Sequence, residues 1–143
     1  MSIDEVQAMA AAQLAANTDL AAFGTPITYS ENLDEEAVKG QIASALHSPG
    51  VVLEIGEPDF ENGEGTPSRA QKLDANFLIY AAENPKVAHS PSGLALVKTI
   101  VQALTRKFSN YEQAPICTGV VKGKSEQGYV MYEIAFTAPV LVR

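Results

Sequence analysis

Between positions 73 and 81 the chain sets Leu73, Ala75, Phe77, Ile79 and Ala81 on every second residue, with Lys72, Asp74 and Asn76 in the other phase. Successive strand side chains point to opposite faces, so this period of two specifies a β-strand with one buried and one wetted face. A second run in the same period, Val130, Tyr132, Ile134, Phe136 and Ala138, lies within residues 129–140. Each long strand needs a partner for its backbone and a layer over its apolar face, which rules out an all-helical chain.

Partners are available close by in the sequence. Val51, Leu53 and Ile55 alternate with Val52 and Glu54, and β-branched residues are concentrated there. This predicts a first strand, paired with residues 73–81 as a hairpin. Residues 116–122 form another alternating run, and 123–128, opening and closing on Gly123 and Gly128, provide its turn into the last strand. Pro139 near the end suggests an edge position or a strand end.

The remaining segments repeat at helical spacing. Ile3, Val6, Ala10 and Leu14 predict a helix over about 3–16, with Ser2 and Glu5 as a capping box. Residues 17–23 make one more short turn, stopped by Gly24 and Pro26. A second helix starts with Asn32 and Glu35 as a capping box, places Val38, Ile42, Ala45 and Leu46 on one face, and breaks at Ser48, Pro49 and Gly50. The strongest helical pattern has Ser90 as N-cap and Pro91 as first helical residue. Its buried stripe is Leu94, Val97, Val101, Leu104 and Phe108, with Lys98, Gln102, Thr105 and Arg106 facing water.

A chain of 143 residues makes one domain, since folding units most often contain roughly 100–150. The expected architecture over 1–143 is α+β. A helical segment over about 1–48 precedes a hairpin–helix–hairpin over about 50–143. The sheet is antiparallel or mixed, of about four strands in two hairpins, with the helices packed on one face.

Charge narrows the function. Ten Lys and Arg against 17 Asp and Glu give a net charge of −7 and repel polyphosphate, so specific nucleic-acid binding is not expected. Cys117 is the single cysteine, which excludes an intrachain disulfide and a thiolate zinc cage. Asp4 and Glu5 stand where a signal peptide carries positive charge, and Gln7, Gln13 and Asn17 interrupt the Ala-rich stretch behind them. No run approaches the roughly 18 apolar residues that span a bilayer. The expected location is the cytoplasm, or an assembly built there, with neither signal-peptide secretion nor membrane partners.

Few residues form a chemical pattern. Asp59, Glu61, Asn62 and Glu64 lie among glycines in an acidic stretch that ends at Arg69, a composition that hard cations accept. The spacing does not match an EF-hand, and a solvated hairpin tip accounts for these residues. Their functional reading is a partner-contact loop made of Asp59, Glu61, Asn62, Glu64 and Arg69. His47 and His89 show no metal-ligand spacing, and Ser48, Ser90 and Ser92 lack a nucleophile elbow. Cys117 reads as a small hydrophobe in a strand, and Gly63-Glu64-Gly65 is too short and too acidic for a phosphate loop. Asp34, Glu35 and Glu36 complement a helix dipole. No catalytic, cofactor or metal set is assigned, and an enzyme is not expected. An enzyme would require a concave pocket where His47, His89 or Cys117 meets a carboxylate.

The strand Asn76-Phe77-Leu78-Ile79-Tyr80 with Ala81-Ala82-Glu83-Asn84 after it, the helix from Ser92-Gly93-Leu94-Ala95-Leu96-Val97-Lys98 through Leu104, and the closing Tyr132-Glu133-Ile134-Ala135-Phe136 together carry a resemblance. The second half of the chain resembles the tail terminator and minor tail proteins of long-tailed bacteriophages, in particular the Mu-like prophage minor tail group. The resemblance implies an α+β subunit that assembles with itself as a hexameric ring. Such a ring ends the tail tube, joins it to the head–tail connector protein, and belongs to the virion tail or to the host cytoplasm during assembly. It brings no enzyme active site. An acidic surface would keep DNA from sticking inside the lumen of such a ring. The competing expectation is a small acidic binding adaptor, such as a dimeric secretion-chaperone-like protein.

Overall fold

The fold is α+β, three helices against a mixed, mostly antiparallel sheet of six strands, in a computed structural model that describes residues 3–29, 34–62, 71–105 and 114–142. The helices are α1 (Val6–Ala16), α2 (Glu35–His47) and α3 (Gly93–Leu104). The strands are β1 (Ile27–Thr28), β2 (Val51–Ile55), β3 (Asp59–Asn62), β4 (Gln71–Glu83), β5 (Ile116–Lys124) and β6 (Val130–Val142). The sheet order is β1-β2-β4-β6-β5, with β3 also beside β4. Among the described residues no helix is long and apolar enough to cross a membrane.

The two strands with the strongest alternation form the spine. β4 pairs antiparallel with β6 along its whole length, from Gln71 opposite Val142 to Glu83 opposite Val130. Paired residues share a face, so odd positions of β4 and even positions of β6 point the same way. Phe77 stands opposite Phe136, and their rings stack with centroids 5.6 Å apart. Ala75, Ile79, Ala81, Tyr132, Ile134, Ala138 and Val140 complete this buried face, with Val51, Leu53 and Ile55 from β2. Val6, Met9, Ala10 and Leu14 of α1 and Leu96, Ile100 and Leu104 of α3 cover it. Fully burying one side chain of that size contributes about 1.5–3 kcal/mol, so this shared core dominates the fold.

The four long strands match the two expected hairpins, and two short strands extend the sheet. β3 occupies the start of the stretch expected to be a loop at 60–69. Phe60 lies opposite Ala75 and packs on the core, while β4 runs past the end of β2 and leaves a free edge for it. β1 joins β2 in parallel through Ile27 and Thr28. Pro139 lies beyond the last pair of β5, where β6 is bonded to β4 alone.

The helices do not all share one face. α1 and α3 lie on the main core, whereas α2 packs Leu46, Ile42 and Ala45 against Val52 and Ala82, which point to the opposite side. The out-of-phase apolar residues Val52 and Ala82 place it there. Asn84 fixes the end of α2, its side-chain amide donating to the Leu46 carbonyl at 3.0 Å and its backbone amide to Gly50 at 2.8 Å.

Three details of the helices differ from expectation. α2 is capped by Asp34, whose Oδ1 accepts from the Glu36 amide at 3.1 Å; Asn32 and Ser2 lie outside the described residues. α3 begins after Ser92, not Ser90, so Pro91 precedes the helix. Its buried residues are Leu96, Val97, Ile100, Ala103 and Leu104; Leu94 is 78% exposed, Val101 is half-buried, and Phe108 lies outside the described residues. Nearly every position of α3 is apolar, so its period alone leaves the phase free to rotate.

Gly50 and Gly40 yield opposite expectations. Gly50 has a φ of +94°, and a Cβ there would lie 2.7 Å from the Val87 side chain. Gly50→Ala is expected to lower stability by about 2 kcal/mol or more in urea unfolding, through strained backbone and overlap. Gly40 sits inside α2 with open space around it, so Gly40→Ala is expected to raise stability by about 0.5–1 kcal/mol in the same assay.

Candidate functional site

The sheet face opposite the α1–α3 core is only partly covered by α2, and one transverse row crosses it. Ile27 of β1, Glu54 of β2, Tyr80 of β4, Glu133 of β6 and Val121 of β5 are successive register partners, so their side chains lie on the same face. The row reads apolar, acid, aromatic, acid, apolar. A cleft of about 390 Å³ opens over its first half, lined by Tyr29, Glu54, Gly56, Glu57, Tyr80 and Met131.

Local structure holds the cleft in shape. The Gln7 amide of α1 donates to the Tyr29 carbonyl at 2.6 Å and to the Gly56 carbonyl at 3.2 Å, tying two wall segments together. The Gly56 amide donates to Leu78 at 2.9 Å, and a Cβ at Gly56 would lie 3.3 Å from the Tyr80 ring. The missing side chain lets that ring lie against backbone.

Glu54 is 8% exposed, and the Tyr29 hydroxyl donates to it. Burial pushes its carboxyl above the usual carboxylate range, opposed by the Tyr29 hydrogen bond. Tyr29 and Tyr80 are also raised, first by burial and then by nearby carboxylates: Glu54 for Tyr29, Glu133 and Glu54 for Tyr80. Both phenols therefore stay protonated at neutral pH. The cleft offers two neutral aromatic rings beside carboxylates, and among the described residues its lining contains no Lys, Arg or His.

A second carboxylate is buried at the other end of β4. Glu83 Oε1 accepts from His89 Nε2 at 2.9 Å and from the Gly93 amide at 2.8 Å, with both side chains of the pair 6% exposed. His89 Nδ1 lies 2.8 Å from the Val87 carbonyl, and the ring meets Phe23 edge-on. Both ring nitrogens of His89 are thus engaged within the fold, one with Glu83 and the other with the Val87 carbonyl. The pair fixes the start of α3 and the 84–92 loop. His89 therefore meets a carboxylate at the wall of a hollow of about 300 Å³ that Ser92 also lines, the arrangement an enzyme would require.

The other sequence candidates are dispersed. Asp59 and Glu61 are exposed strand residues of β3, opposite Asn76 and Asp74, and Asn62 ends that strand. They are therefore not part of a hairpin tip. Glu64 and Arg69 lie outside the described residues. His47 is exposed in the last turn of α2, and Cys117 is half-buried on β5 opposite Phe136. Among the described residues no group of three or more His, Cys, Asp or Glu side chains is placed to hold a metal ion. The row Glu54–Tyr80–Glu133 was not singled out by motif. Its one visible signal is Glu54, the charged residue inside Val51-Val52-Leu53-Glu54-Ile55.

The far edge of the sheet is a second open feature. Among the described residues β5 pairs only with β6, with an irregularity between Cys117 and Gly119, and it exposes Ile116 and Val121 at 64% and 63%. Val120 is exposed as well.

The two buried carboxylates respond oppositely to substitution. His89→Ala removes the hydrogen-bond partner of buried Glu83 and is expected to cost about 1–3 kcal/mol in urea unfolding. Glu54 has a folded-state pKa above its unfolded one, so its contribution is present in acid and is lost as pH rises through the folded value. Glu54→Gln is therefore expected to raise the melting temperature at pH 8 and to leave it nearly unchanged at pH 4. A variant that melts lower at pH 8 would contradict this. No family model matches the chain, and no curated protein sequence matches it significantly.

Proposed function

We propose that this chain is a structural, non-enzymatic subunit of a phage or prophage tail, similar to a tail terminator. Its copies would join into a six-membered ring that caps the tail tube and meets the head–tail connector. The observation that carries the reading is β5, a nine-residue edge strand with exposed Ile116, Val120 and Val121. An edge strand with exposed apolar residues presents unpaired N–H and C=O groups and is a template for another chain, here blunted in part by the irregularity at Cys117–Gly119 and by Lys122 and Lys124. A ring covers such an edge through a heterologous contact repeated until it closes. The acidic open face, with Glu54, Asp74 and Glu133 on one side of the sheet, suits a lumen through which DNA passes without adhering.

Native mass spectrometry from low to high micromolar protein, followed by electron microscopy, tests the reading. Six-membered rings are expected, bound to the ends of preformed tail tubes. Ile116→Lys with Val121→Lys should abolish the rings while shifting monomer stability by no more than about 0.5 kcal/mol, since both positions are exposed. A dimer that grows no further would favour the acidic adaptor, and a chain that neither assembles nor binds tube ends would overturn both.

A further inference from the structure

We propose that the cleft over Glu54 and Tyr80 receives the guanidinium or ammonium group of an Arg or Lys side chain presented by a partner polypeptide. This site lies on the sheet face, apart from the edge contact that would build a ring, and does not depend on that reading.

The first argument is the contrast between two carboxylates of one sheet. Glu83 and Glu54 are both more than nine-tenths buried. Glu83 is given His89 and a backbone amide. Glu54 has the Tyr29 phenol and lines a cleft that shows no cationic side chain among the described residues. A buried carboxylate without a counter-charge is costly, and a cation brought from outside removes that cost. Burial raises the Glu54 carboxyl, which a bound cation would lower again.

The second argument is the surrounding chemistry. Tyr80 stands in the sheet beside Glu54 and lines the cleft with it, so a planar cation there meets an aromatic ring and a carboxylate. Met131 and the ring of Tyr29 provide apolar walls for the methylene stem. Charge-assisted hydrogen bonds to Glu54 and Glu57 then fix the head group. An adjoining hollow of about 350 Å³ shares Gly56, Glu57 and Tyr80 with the cleft, leaving room for residues flanking the inserted side chain. That room favours a polypeptide over a free small cation.

The test is a titration of ¹⁵N-labelled protein with three peptides, Gly-Ser-X-Ser-Gly, where X is arginine, lysine or the neutral isostere citrulline. The arginine or lysine peptide is expected to give saturable shifts at Gly56, Glu57 and Met131, with the citrulline peptide at least about tenfold weaker. Glu54→Gln and Tyr80→Leu should each weaken binding by about tenfold, while Tyr80→Phe retains it. The amide spectrum of each variant reports whether it is folded, and the two Tyr80 variants serve should the Glu54 substitution disturb the sheet. Citrulline binding as well as arginine, shifts mapping elsewhere, or no saturable shift at the solubility limit of the peptides would overturn the proposal. Because the monomer suffices for this binding, failure here leaves the ring reading intact, and a monomer that binds separates the two in the other direction.

Discussion

The pairing of β4 with β6 is the constraint on which the rest depends. Thirteen consecutive residues of β4 are in register with β6, so one phase decides the face of every side chain across the middle of the sheet. A slip of one residue would turn Phe77 and Ile79 to solvent and bring Asp74, Asn76 and Tyr80 under α1 and α3. The stacked pair Phe77–Phe136 fixes that phase at its centre. The same parity aligns Glu54, Tyr80 and Glu133 on the other face, so the open acidic row and the dry core follow from one register.

Legibility in the sequence followed the strength of this period. The four long strands were readable because Leu73 to Ala81 and Val130 to Ala138 obey a period of two with little interruption. β3 was not, because only Phe60 among its four residues is apolar, and its pairing depends on the length of β4 rather than on its own composition. The side chosen by α2 was hidden for a related reason. It is set by Val52 and Ala82, the out-of-phase residues of strands whose in-phase residues attract attention first. The phase of α3 was ambiguous because Leu94, Leu96, Val97, Ile100 and Val101 are all apolar. Distant groups resolve it. Glu83 of β4 accepts the Gly93 amide at the start of α3. The buried Gln13 amide, its nitrogen turned toward the end of the helix, donates to the carbonyls of Ala103 and Leu104 at 2.9 and 3.1 Å. Local capping signals at Ser90 could not report caps provided by β4 and α1.

The candidate site was less legible than the fold because it is a product of registry. Tyr29, Glu54, Tyr80 and Met131 are spread over more than two thirds of the chain and obey no spacing rule. A carboxylate within an apolar strand is the trace such a site leaves, and by itself it has two readings: a partner inside the fold or one outside. Glu83 has the first arrangement, with His89 six residues away on the following loop. Glu54 has the Tyr29 phenol among the described residues, and that difference appears only when the strands are assembled.

Edge and face are physically coupled, since Val121 on β5 ends the same row that begins at Ile27 and Glu54. An assembly that continues the sheet through β5 therefore extends an acidic face from copy to copy, at a net charge of −7 per chain. Apolar contact at Ile116 and Val121 must then outweigh repulsion that grows with each added copy and is screened within about 8 Å at physiological ionic strength. Closure into a small ring would then be easier under salt than without it. A basic segment from a partner, seated on the face, would lower the same repulsion where neighbouring copies meet. On that argument a cationic partner and self-assembly reinforce each other without any change in the fold, because each removes a charge cost that the other has to overcome.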